Sequence, residues 1–138
     1  MAKVTVEGLS EIGMSFEQLA EMPESVIDNM LKAQADIFAK QIRANAISML
    51  MGPYWEGAVS ASVTIKAPRN IKGQRTVDIT FEGTQHGNKL TEIAFVNEYG
   101  KSGQAARPFV RSAIETKKEA ANEKAAAVLY SYEKSIGL

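Results

Sequence analysis

The run from Pro23 to Met51 repeats its apolar side chains at the three- and four-residue spacing of a helix: Val26, Ile27, Met30, Leu31, Ile37, Phe38, Ile42, Ile47 and Leu50. Asp28, Lys32, Asp36, Lys40 and Arg43 fall on the other face. Pro23 suits an opening turn, where its missing N–H is no loss, and Gly52-Pro53 stops the segment. At ~1.5 Å per residue such a helix spans about 40 Å, longer than a typical globular helix. In a chain of 138 residues the remainder must be arranged around it. The helix either crosses a sheet or extends past the body to meet neighbours.

The middle of the chain reads as β. Ala58 to Ala67 alternates, with Val59, Ala61, Val63 and Ile65 against Ser60, Ser62, Thr64 and Lys66, and Val77, Ile79 and Phe81 alternate with Thr76, Asp78 and Thr80. Between the two runs lies a polar hairpin, residues 68–75, carrying Arg69, Lys72 and Arg75. A third strand is expected at Glu92–Asn97, apolar on both faces as in a covered strand. Val4 and Val6 suggest a further short strand, and Ser15 with Gln18 forms a capping-box pattern for a helix from Phe16. Residues 101–106 form a polar linker. Pro108 then opens a second long helix with Val110, Ala113, Ile114, Ala121, Ala125, Val128, Leu129 and Tyr132 on one stripe. Its many alanines favour helix and permit close approach to a neighbouring element.

The expected fold class is α+β: a small antiparallel sheet of three to four strands, with the long N-terminal helix and a C-terminal helix packed on it. One domain, residues 1–138, is expected, with residues 1–15 as a flexible or edge-strand arm. A chain this long buries about 68% of the surface exposed when unfolded, enough for one core without a metal or disulfide staple. No cysteine is present, which excludes disulfides, zinc–thiolate sites and cysteine nucleophiles. The first residues do not read as a signal peptide, and no apolar run approaches the ~18 residues of a membrane span. A soluble protein with no membrane partner is expected.

The sixteen basic and sixteen acidic side chains cancel, which removes bulk positive charge as an argument for nucleic-acid binding. They are unevenly placed. Residues 1–51 carry seven acids and four bases, and residues 107–138 carry four acids and six bases. Such a front-to-back difference suits head-to-tail association.

Catalytic chemistry finds little support. His86 is the single histidine, in the loop Thr84-Gln85-His86-Gly87-Asn88, and a general base needs an orienting partner. No ligand cluster suggests a metal, and no glycine-rich loop suggests a phosphate cradle. Glu92 and Glu98, read on a strand, would stand about 20 Å apart, too far for two-carboxylate catalysis. The expectation is a protein that is not an enzyme, with no catalytic residues, metal, cofactor or small-molecule substrate. Arg69, Lys72 and Arg75 on the hairpin can touch phosphates, weakly in a monomer, and more strongly when repeated around a ring. Tyr54 and Trp55, just past the long helix, either close the core or anchor another subunit.

The segment Ile93-Ala94-Phe95-Val96-Asn97-Glu98-Tyr99-Gly100, a short polar loop, and Ala106-Arg107-Pro108-Phe109-Val110-Arg111-Ser112-Ala113 resembles a known pattern. It is similar to the small tail-component proteins of long-tailed phages and prophages, described as tail-completion, head–tail joining or neck proteins. In that family a strand ends in a hydrophobic-x-x-Glu-Tyr/Phe-Gly motif, and a loop leads to an Ala-x-Pro-Phe motif that opens the last helix. Glu98, Tyr99, Gly100, Pro108 and Phe109 match. The resemblance implies a non-enzymatic virion or assembly protein at the head–tail junction, a subunit of a ring, six copies being one candidate number. It implies other neck and tail proteins as partners, a location in the virion, and in the bacterial cytoplasm during assembly. DNA contact would be incidental, through Arg69, Lys72 and Arg75 facing the lumen. The matched residues also have a plain structural use: Gly100 permits a positive φ and Phe109 can pack on the sheet, with a salt bridge from Glu98 to Arg107 expected across the corner. The alternative reading is a small nucleic-acid-binding protein using hairpin 68–75.

Overall fold

The computed structural model describes residues 4–6, 22–50 and 57–137. The Phe16 helix expectation, Tyr54 and Trp55 lie outside these residues. Helix α1 spans Glu24–Met49, within two residues of the sequence expectation at each end. Pro23 precedes it in extended conformation, and Leu50 returns to extended backbone after it. Met30, Leu31, Ala35, Phe38, Ala39, Ile42 and Ala46 line its buried stripe; Met30, Leu31, Phe38 and Ile42 are where helical periodicity places them, whereas Ile47, expected on the same stripe, is exposed.

The C-terminal helix, here α4, spans Phe109–Ser135. It runs antiparallel to α1. Near one end Asn45 Nδ2 donates to the Phe109 carbonyl at 3.0 Å, and further along Gln34 Nε2 donates to Asn122 Oδ1 at 3.0 Å. Ala113, Ala121 and Ala125 are the residues α4 buries behind Phe109. Their single methyls let the two backbones approach along most of a helix length, and α1 and α4 share the most extensive contact in the fold.

The sheet lies on α1 and is organised by β4, Gln74–Phe81. Strand β1 (Val4–Val6) pairs along one edge. Strands β2 (Val63–Ile65) and β3 (Arg69–Ile71) pair along the other, and all three pairings are antiparallel. Ile65 faces Ile79 and Arg69 faces Thr76, so four steps on the edge strand answer three on β4. Pro68 sits in this interruption, where its missing N–H leaves no ladder position empty. Val77, Ile79 and Phe81 point to the core, and the Phe81 ring meets Phe109 edge-on with centroids 5.8 Å apart. The architecture is α+β, as expected, with a small two-stranded ribbon besides, β5 (Thr84–Gln85) and β6 (Asn88–Lys89).

Two elements differ from the sequence expectation. Ala58–Ala67 is not one strand: Ala58–Ser62 is a short helix, α2, and only Val63–Ile65 is extended. Gly57 enters it in left-handed conformation, φ 77°. Ser60 Oγ donates to the Arg43 carbonyl of α1 and Ser62 Oγ to the Val59 carbonyl. Val59 is buried while Ala61 is exposed, so the apparent alternation does not describe one face. The strand expected at Glu92–Asn97 is the helix α3, Leu90–Tyr99. Its buried residues are Leu90, Ala94 and Glu98, four apart, which is helical spacing with a carboxylate as its third member.

Candidate interaction surfaces

Glu98, Tyr99, Gly100, Pro108 and Phe109 meet at the corner where α3 ends and α4 begins, so the Glu-Tyr-Gly run closes a helix and not the strand that the resemblance implies. The first turn of α4 has backbone N–H groups without intrahelical acceptors, and Pro108 supplies no side-chain cap. Glu98 fills that role from the neighbouring helix. Its Oε2 accepts from the Val110 N–H at 2.8 Å and its Oε1 from the Arg111 N–H at 3.0 Å. The side chain is buried, with 6% exposure, and an anion at a helix N-terminus is favoured by the helix dipole and by charge-assisted hydrogen bonds.

The chain between the helices is tightly turned. Gly100 has φ 78° and ψ 177°, a region almost restricted to glycine. A Cβ there would stand 2.9 Å from both the Ala106 nitrogen and the Gln104 carbonyl oxygen. Lys101 and Gln104 then exchange backbone hydrogen bonds around Ser102-Gly103. The Arg107 N–H returns to the Asn97 carbonyl at 2.6 Å. Pro108, at φ −77° and ψ 67°, forms an inverse γ-turn closed by Phe109 N–H to the Arg107 carbonyl at 2.8 Å. Phe109 itself is fully buried. Glu98, Gly100, Pro108 and Phe109 therefore build the corner, as cap, turn, kink and core plug.

Tyr99 is the motif residue with no such use. It is 64% exposed, and Phe95, one turn earlier, is 42% exposed. Their rings stack on each other with centroids 4.8 Å apart, tilted by 48°. Phe95 is a surface residue that the strand reading places in the core. A Phe–Tyr pair four apart is the helical signal that would have found it. Lys101 and Arg111 are exposed as well, and Glu92 is the exposed acid of α3.

Hairpin 68–75 is β3 and β4 joined by Lys72-Gly73, both with positive φ (51° and 81°), the type I′ geometry that matches strand twist. Two of its three cations face carboxylates. Arg69 donates through Nε and Nη2 to Asp78 Oδ2, at 3.0 and 2.5 Å. Arg75, with its side chain 18% exposed, forms a bidentate pair with Asp28 at 2.9 and 2.8 Å, and Glu24 lies 3.4 Å from its Nη2. The Asp28 hydrogen bonds, helped by the charges of Asp28 and Glu24 and opposed by partial burial, raise the pKa of Arg75. Arg75 thus ties the sheet to the start of α1, and Lys72 at the tip is exposed.

His86 stands at the tip of the β5–β6 ribbon, exposed, with φ 51°. Glu92 and Glu98 lie on a helix rather than a strand, which brings them to about 9 Å apart along the axis. Their environments differ: Glu92 is exposed and Glu98 caps α4. Among the described residues no group of three or more His, Asp or Glu is placed to hold a metal ion, and no helix is long and apolar enough to cross a membrane. Comparison with family models, curated proteins and solved structures finds no match to this chain.

Proposed function

We propose that this protein is a non-enzymatic structural or assembly component of the head–tail junction of a long-tailed phage or prophage, acting as one subunit of a ring. The observation that carries the reading is the division of labour in the matched segment. Glu98, Gly100, Pro108 and Phe109 hold the α3–α4 corner, and Tyr99 is left over, exposed and stacked on Phe95. Aromatic side chains held on a rigid element lose little conformational freedom on docking and are frequent interface anchors. Such a protein works by fitting between other components, with other copies and other neck and tail proteins as partners. It belongs to the virion and, during assembly, to the host cytoplasm.

The nucleic-acid reading has less support. Arg69 and Arg75 are engaged by Asp78, Asp28 and Glu24, so DNA contact through the hairpin would be incidental. The functional reading is tested by deleting the gene from an inducible prophage and restoring it on a plasmid. Infectious yield should collapse on deletion and return with the wild-type gene. An unchanged yield after deletion would overturn it.

A further inference from the structure

Helix α3 turns one face away from the body. Ala94 and Glu98 are buried, whereas Glu92, Phe95 and Tyr99, at the three- and four-residue spacing of a single helix face, are exposed. The element that carries them is pinned at both ends. At its start the Leu90 N–H donates to the Gly83 carbonyl at 3.0 Å. At its end Glu98 accepts from the Val110 and Arg111 amides, and the Asn97 carbonyl accepts from the Arg107 N–H. The Phe95 and Tyr99 rings rest on each other, so little side-chain freedom is left to lose when a partner covers them.

The charge at this corner is one-sided. On the outer face of α1, exposed Lys32, Asp36 and Lys40 alternate at four-residue spacing. On the sheet, Lys66, Arg69 and Arg75 each face a carboxylate. From Tyr99 to Ile114 the chain carries Lys101, Arg107 and Arg111 and no acid, and Glu115 follows one turn of α4 after Arg111. Glu98, just before this stretch, is buried with both oxygens on α4 amides. Lys101 and Arg111 are exposed and, among the described residues, form no ion pair. Lys101 lies two residues beyond Tyr99 in the chain. The Arg111 N–H is 3.0 Å from the carboxylate of Glu98, the chain neighbour of Tyr99. An exposed aromatic pair and two unpaired cations therefore belong to one corner.

We propose that this corner docks an acidic segment of a different protein, with an apolar or aromatic side chain of that segment against Phe95 and Tyr99 and its carboxylates on Lys101 and Arg111. The aromatic contact supplies the hold, and the unpaired cations select the sign of the partner's charge. A nucleic acid fits less well, because two free cations neutralise few phosphates and Glu92 on the same face repels them. The inference rests on the proposed function only in taking the partner to be another neck or tail protein.

The binding chemistry is tested on the purified full-length chain with a fluorescein-labelled random copolymer of glutamate and tyrosine, followed by anisotropy at low salt. Saturable binding is expected. Phe95→Ser with Tyr99→Ser, and separately Lys101→Glu with Arg111→Glu, should each weaken it about tenfold or more, on the order of 1.4 kcal/mol. Lys32→Glu with Lys40→Glu, which reverses exposed cations on α1, should leave it unchanged. All of these side chains are exposed, so the variants should keep the wild-type circular dichroism and thermal transition. Salt at about 0.5 M, with a screening length of roughly 4 Å, should weaken wild-type binding. Absence of binding, equal loss in the α1 variant, or tighter binding of an oligothymidylate would overturn the proposal. So would wild-type self-association that the corner substitutions abolish, which would give the surface to a second copy. In the prophage, the Lys101/Arg111 variant should restore at least tenfold less infectious yield than the wild-type gene, and full restoration would also overturn it. A gene that proves dispensable would remove the virion role and leave the binding result standing.

Discussion

At the scale of single residues, the fold depends on a few side chains whose chemistry could be mistaken for function. Glu98 is a buried carboxylate whose two oxygens accept from the Val110 and Arg111 amides. Glu98→Ala removes a two-bond cap from a helix start and should cost about 1–3 kcal/mol in chemical denaturation. Glu98→Gln, which keeps one acceptor, should cost less. Gly100 and Gly103 offer a sharper contrast, since both have positive φ (78° and 80°). Gly103 has open space where a Cβ would go, whereas at Gly100 backbone atoms lie 2.9 Å from that position. Gly103→Ala should cost about 1 kcal/mol. Gly100→Ala should cost at least about 3 kcal/mol, since backbone strain and overlap add. Equal melting temperatures for the two variants would contradict this account of the corner.

At the scale of elements, legibility followed the length of the periodic signal. Helix α1 and the helix after Pro108 were legible because their apolar stripes persist for many turns, longer than chance sustains. The β4 alternation of Val77, Ile79 and Phe81 was legible for the same reason. Helix α3 was not: its core stripe is Leu90, Ala94 and Glu98, and a buried glutamate breaks any pattern that equates buried with apolar. The nearby Ile93-Ala94-Phe95-Val96 run is too short to separate strand from helix. Segment 58–62 failed similarly, since a five-residue helix of Ala, Val and Ser has no period of its own and is held by Ser60 and Ser62 hydrogen bonds. Of the candidate residues, the corner was visible as a motif, but the exposure of Phe95 followed only from the helix. The α1–α4 seam carries its own prediction. Gln34 is 2% exposed, its Nε2 bonded to Asn122 and its Oε1 without a partner. Asn122→Ala leaves the whole buried amide unsatisfied and should cost about 1–3 kcal/mol. Gln34→Met removes the orphaned oxygen along with the amide and should leave the melting temperature unchanged or raised, because half-buried Asn122 can turn to water.

At the scale of the whole molecule, one antiparallel helical pair with a sheet on its flank separates two ends by a helix length. Arg75, Asp28 and Glu24 fasten the sheet to α1, so the sheet hairpin holds a set position beside that axis. A body of this kind, with aromatic side chains outside a stiff corner, is suited to repetition and to contact with other proteins. The function we propose for it is to complete or join the phage tail. Electron microscopy of lysate from an induced prophage lacking this gene tests that most directly. DNA-filled heads beside unattached or abnormally ended tails are expected; complete head–tail particles in normal number would overturn the proposed role.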